Sequence, residues 1–197
     1  MKTVKTIFLL SILMIISSCK TDNKSKDSIT KEVKVQEESI QKVNKLILTE
    51  NTFGKLKLEK GIPLEESKIK ELFVDFSVSK NIGEQDGPNY YYYEIGTEAT
   101  LTTPNTESET LSQVWINKNS KVSDEYGIKL GMTYIDINKK RPNMSISTEH
   151  YHIYLHKEGS NIAYEMSLGN YEGPDKEEYS LDDIKNSNSK IISIIWK

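Results

Sequence analysis

Tyr126-Gly127-Ile128-Lys129-Leu130-Gly131-Met132-Thr133-Tyr134-Ile135-Asp136-Ile137 is the stretch whose reading decides the fold. Thr133 is a good N-cap, and Tyr134 and Ile137 stand three apart, on one face of the helix that follows and toward a core. The opening Gly-Ile repeats earlier, at Gly61-Ile62. There Pro63 is expected in the first turn, Glu65 and Glu66 suit that end, and Leu64, Ile69, Leu72 and Phe73 make an apolar stripe ending the helix at 73. β-type runs flank both helices: 46–48, 53–58, 73–79, 90–102 and 112–116 around the first, and 151–155, 163–168 and 191–196 after the second. Residues 81–88, with Gly83 and Gly87, and 104–108 read as loops. Residues 180–184 read as a short helical turn, with Ser180 and Asp183 as a variant capping box. The order is β-β-α-β-β-β and then α-β-β-β. It predicts an α+β fold of short helices packed on antiparallel sheet, a single globular domain over 44–197 built from two similar units, 44–116 and 117–197.

The chain has 197 residues, 36% hydrophobic and 28% charged, with a formal net charge of −3. This composition suits a globular domain and excludes collagen, a coiled coil and wholesale disorder. The mildly acidic balance leaves no electrostatic footprint for nucleic acid. One cysteine permits neither an internal disulfide nor a Cys-based zinc site.

That cysteine has a telling address. Lys2 and Lys5 form a positive n-region, and 7–16 is an apolar run too short to span a bilayer comfortably. Ser17 and Ser18 then place small residues directly before Cys19. The pattern resembles the lipobox of bacterial lipoproteins, with Ile16 where that box favours Leu. The resemblance implies a signal peptide over 1–18, cleavage, and acylation of Cys19, which would hold the chain on a membrane. Cleavage removes Lys2 and Lys5 and leaves 24 basic side chains against 29 acidic, a charge of −5. Lys20, not Asp, follows the cysteine, so by known sorting rules nothing argues for inner-membrane retention and an outer-membrane location is expected. Residues 19–43 are polar and rich in Lys, Ser, Asp and Glu, the composition of a flexible tether.

The sequence from Val114-Trp115-Ile116 through Val122 to Asp124-Glu125-Tyr126-Gly127-Ile128-Lys129-Leu130-Gly131-Met132-Thr133 resembles an uncharacterised domain of envelope-stress-regulated Gram-negative lipoproteins, over roughly 44–155. That family brings no established enzymatic activity and no functional residues to carry over. Gly131-Met132-Thr133 is also similar to the helix start in the small lipoprotein of the outer-membrane barrel-assembly machine; Arg141-Pro142-Asn143 lacks the glycine of that family's following turn.

Two clusters could carry chemistry. In His150-Tyr151-His152-Ile153-Tyr154-Leu155-His156, strand alternation puts His150, His152, Tyr154 and His156 on one face, and Tyr151, Ile153 and Leu155 toward the core. Two histidines at i and i+2 can reach one Zn²⁺ or Cu²⁺, with Glu149 or Glu165 as further ligands; the same pattern serves equally as a solvated polar stripe. In Tyr90-Tyr91-Tyr92-Tyr93, two rings point each way. One pair can fill the core while the other meets a partner or stacks on a sugar; equally, tyrosine is simply a strong strand former. Nucleophilic catalysis has no support, since there is no Gly-x-Ser-x-Gly elbow and lipid takes Cys19. Glu107, Glu109 and the 175–178 acids lack EF-hand order. The expected protein is a non-catalytic, lipid-anchored binding or accessory module of the cell envelope, without a cofactor, meeting a protein or glycan partner. A metal-binding lipoprotein using the histidine strand and an envelope hydrolase are the alternatives.

Overall fold

Leu48 and Phe53 are fully buried, and the chain reverses between them. The computed structural model describes residues 46–84 and 87–197; the signal peptide, Cys19 and the tether lie outside the described residues. The Thr49 hydroxyl accepts from the amides of Asn51 and Thr52, closing a turn between β1 (Ile47–Leu48) and β2 (Thr52–Phe53). The run 53–58 is not one strand. Gly54, at φ +57, turns the chain again, and β3 (Leu56–Lys57) pairs back onto β2. Helix α1 (Glu66–Leu72) starts later than the proline suggested. Pro63 is extended and bridges Thr110, because Leu64 donates to Glu109 and Leu111 to Ile62 in a short ladder. Ile69 and Phe73 then bury the helix's apolar side.

The strand expected at 73–79 is displaced. A turn with Phe76 N–H on the Phe73 carbonyl precedes β4 (Val78–Gly83), which runs into the predicted loop. It pairs with β5 (Tyr90–Ile95) from Val78↔Ile95 to Gly83↔Tyr90. β6 (Ala99–Thr102) and β7 (Gln113–Ile116) complete a four-stranded antiparallel meander. β8 (Ser123–Asp124) runs parallel to β1 and adds a fourth strand to the small sheet.

Helix α2 (Tyr134–Lys140) carries the expected cap. Thr133 and Asp136 form a reciprocal capping box, and Tyr134 and Ile137 are buried. A second meander follows: β9 (Ser145–Glu149), which the sequence reading missed, β10 (His152–His156), β11 (Ile162–Met166) and, after α3 (Leu181–Asn186), β12 (Ile191–Trp196). Ser180 and Asp183 cap α3 in the same reciprocal way. β12 meets β7 through Ile194↔Ile116 and Trp196↔Val114, so one eight-stranded sheet runs β4-β5-β6-β7-β12-β11-β10-β9.

The fold is α+β. Inward residues of the large sheet, among them Tyr93, Leu101, Val114, Ile194, Tyr164 and Leu155, share one core with Ile69 of α1, Ile137 of α2, Ile184 of α3 and Phe53 of the small sheet. By strand alternation, the opposite face carries Tyr90, Tyr92, Thr100, Thr102, Gln113 and Trp115.

Candidate binding face of the large sheet

The four consecutive tyrosines divide by parity. Tyr91 and Tyr93 point into the core side. The Tyr93 hydroxyl lies 3.1 Å from both the Leu64 carbonyl and a Glu109 carboxylate oxygen. Lys80 donates to that carboxylate at 2.8 Å, and its Nζ sits 3.9 Å from the centroid of the Tyr91 ring. Burial pushes the Tyr93 hydroxyl above its ordinary range, and the hydrogen bond from Lys80 holds Glu109 below the usual carboxylate range. These two tyrosines anchor the meander to the segment leading into α1.

Tyr90 and Tyr92 face away from the core, their ring centroids 6.2 Å apart. The Tyr90 ring lies across Gly83 on the edge strand. A Cβ there would stand 2.3 Å from the ring, so only glycine at 83 lets the tyrosine lie down. Trp115, two strands away, is held by its neighbour on the same face: its Nε1 donates to Gln113 Oε1 at 2.9 Å. Between Tyr90 and Trp115 runs a cleft of about 410 Å³, floored by Thr100, Thr102, Ser112 and Gln113. None of its described lining residues is charged. The alternation of the tyrosines was readable from period two alone. Trp115 joins them only through the pairing of β6 with β7, a register the sequence does not display.

The histidine strand differs from its expected form. His150 and Tyr151 are not strand residues. Both adopt positive φ, 50° and 68°, in the two-residue turn joining β9 to β10, where Glu149 pairs with His152. Tyr151 is 83% exposed, not in the core, while Ile153 and Leu155 are buried as expected. His152 and His156 share a face with Tyr154, four residues apart and so roughly 13 Å between Cα atoms, too far to share one ion held at metal–nitrogen distances of about 2 Å. His150, His152 and His156 therefore do not converge. Among the described residues no group of three His, Cys, Asp or Glu side chains is placed to hold a metal. His152 Nδ1 instead lies 2.6 Å from Glu165 Oε1, and Glu149 faces Lys197 at 3.4 Å.

A buried polar cluster escaped the sequence reading. Tyr164 donates to Asp124 Oδ2 at 2.5 Å and accepts from Arg141 Nη1 at 3.1 Å. Arg141 Nη2 donates to Glu50 Oε1 at 3.0 Å and to Ser160 Oγ at 2.7 Å. Glu50 also accepts from Ser160 and from the Asn161 amide. Burial raises the Asp124 carboxyl above its ordinary value against the lowering effect of the Tyr164 bond, and burial with the facing Asp124 drives the Tyr164 hydroxyl far up. Its described members are satisfied by one another, so the cluster binds segments of this chain together. One signal was present: Arg141 is the chain's only arginine among 26 basic residues, and a planar five-donor fork suits a buried multi-partner site better than lysine.

No family model and no curated protein sequence matches this chain. Its fold class, an eight-stranded antiparallel sheet with short helices on one face, has a solved counterpart. The crystal structure of the uncharacterized protein yfeY from Escherichia coli superposes with a TM-score of 0.57 at 21% identity, covering 77% of this chain and 99% of that one. The likeness is one of fold.

Proposed function

We propose that this chain is a lipid-anchored protein of the bacterial cell envelope that acts by binding, and that its partner docks on the face of the large sheet opposite the core, around Tyr90 and Trp115. The observation that carries the binding reading is the cleft itself. Two aromatic rings, one lying on a glycine and the other fixed by an amide, frame a polar floor on the face opposite the described helices. Anchoring rests on the lipobox-like Ile16-Ser17-Ser18-Cys19, and outer-membrane placement on the lysine after it. The resemblance to stress-regulated envelope lipoproteins points to the same compartment and to an accessory role.

The test has two arms. Mass spectrometry of the mature chain is expected to find an acylated N-terminal Cys19, lost together with membrane fractionation in Cys19→Ser. Crosslinked, detergent-solubilised envelopes are expected to yield a reproducible partner with the anchored chain and much less with Trp115→Ala at equal abundance. Recovery unchanged by Trp115→Ala and Tyr90→Ala would remove this face from the proposal.

A further inference from the structure

We infer that the Tyr90–Trp115 cleft takes an uncharged oligosaccharide, an assignment that rests on this face being the binding face. The walls come first. The Tyr90 ring, laid over Gly83, and the Trp115 indole, held through Nε1 by Gln113, are flat apolar platforms whose orientation is set before any ligand arrives. The axial C–H groups of a pyranose give it an apolar face that stacks on such rings, while its rim of hydroxyls needs polar partners.

The floor supplies those partners. Gln113 spends its carbonyl on Trp115 and leaves its amide NH₂ without a partner among the described residues. The hydroxyls of Thr102 and Ser112 likewise have none there. Thr100 donates to Asn117 Oδ1 and keeps its lone pairs as acceptors. Donors and acceptors are thus mixed on one floor, which matches hydroxyl groups, each both donor and acceptor.

Charge narrows the class. No described lining residue is a lysine, arginine, aspartate or glutamate, so neither a phosphate backbone nor a charged peptide finds a counter-ion among them. Length narrows it further. Tyr92, Thr102 and Gln113 lie opposite one another, as do Glu94, Thr100 and Trp115. Tyr90 therefore stands four residues along and two strands across from Trp115, roughly 17 Å between Cα atoms by sheet spacing. The separation of the platforms fits a short chain of sugars rather than a single ring. A polyproline peptide could also lie between aromatic rings, but it offers no hydroxyls to the threonine, serine and amide groups of the floor.

The full lipidated chain in a zwitterionic detergent without a sugar headgroup tests this with maltohexaose and chitohexaose as probes and a decaproline peptide as comparison. Saturable binding to at least one hexasaccharide is expected. Saturation-transfer NMR should reach its sugar C–H protons, and the tryptophan emission should shift to the blue as the half-exposed Trp115 is covered, Trp196 being buried already. Tyr90→Ala and Trp115→Ala should each weaken binding about tenfold or more, and Trp115→Phe less, with melting temperatures showing that the variants fold. Saturation transfer on the wild-type chain keeps the test decisive even where a variant does not fold. If neither hexasaccharide binds, or only decaproline does, the saccharide assignment is overturned; envelope capture that still depends on Trp115 would then leave the binding-face reading standing. If capture is also indifferent to Trp115, both fail together.

Discussion

Asp124 shows how a single buried carboxyl is tied into this protein by hydrogen bonds. It is 2% exposed. Its Oδ1 accepts from the amides of Tyr126 and Ile128 at 2.9 and 2.7 Å, and its Oδ2 from the Tyr164 hydroxyl. Burial is the strongest influence on its carboxyl and raises it; the Tyr164 bond is the strongest opposing one. A group whose folded-state pKa is raised lends stability below its unfolded value and loses that contribution as pH climbs through the folded value. Tyr164→Phe removes the opposing bond, raises the Asp124 carboxyl further, and leaves one carboxylate oxygen and one Arg141 N–H without their partner. The expected cost is about 1–3 kcal/mol. It should grow as pH rises through the folded-state value of the Asp124 carboxyl and shrink below it. Urea unfolding of wild type and variant across that range checks both statements, and a pH-independent difference would show that Tyr164 does not act through this carboxyl.

At the scale of elements, the signals that lie within a few residues of one another are the ones that could be read. Thr133 with Asp136 and Ser180 with Asp183 each close a box three residues long, so α2 and α3 begin where their sequences say. Removing such a cap by Thr133→Ala should destabilise the protein by about 1 kcal/mol in thermal or urea unfolding, with the fold retained. The β9–β10 hairpin lies at the other extreme. Its turn is built from His150 and Tyr151 without glycine, asparagine or aspartate, so alternation read straight through it and carried His150 onto a strand face. Two-residue hairpin turns with positive φ favour Asn-Gly, and a left-handed position costs an ordinary residue roughly 1–2 kcal/mol. Replacing His150-Tyr151 by Asn-Gly should therefore raise the melting temperature, by an amount equivalent to about 1 kcal/mol after the extra chain entropy of glycine. A lower melting temperature would mean that these two side chains contribute contacts the turn needs. Pro63 misled in the same way: its helix-start preference is local, but the ladder between 61–64 and 109–111 overrides it.

At the scale of the described residues as a whole, the decisive contacts join residues far apart in sequence and left almost no local trace. Parity divided the tyrosines into two pairs; only the pairing of β5, β6 and β7 shows that Trp115 stands across from Tyr90 and Tyr92. Glu50 makes the same point for stability. It sits in the β1–β2 turn, yet its carboxylate binds Arg141, Ser160 and the Asn161 amide, and its backbone carbonyl accepts from Trp196 Nε1 at 2.9 Å. The Arg141 side chain is 6% exposed and that of Glu50 26%, so removing the glutamate strands a nearly buried guanidinium while water partly replaces the lost acceptor. Breaking a buried pair from one side costs about 3–5 kcal/mol, and the partial exposure of Glu50 brings the expectation for Glu50→Ala to about 2–3 kcal/mol. Glu50→Gln keeps one acceptor for the Asn161 amide and should lose less. The loss should also be spatially graded. Amide exchange at Gly54, whose N–H bonds the Ile47 carbonyl beside that turn, is expected to accelerate more than exchange within β11 and β12, because Glu50 joins the small sheet to the second meander while those central strands keep both neighbours. Equal acceleration everywhere would instead mean that the small sheet and the large one open only together, with Glu50 supporting both.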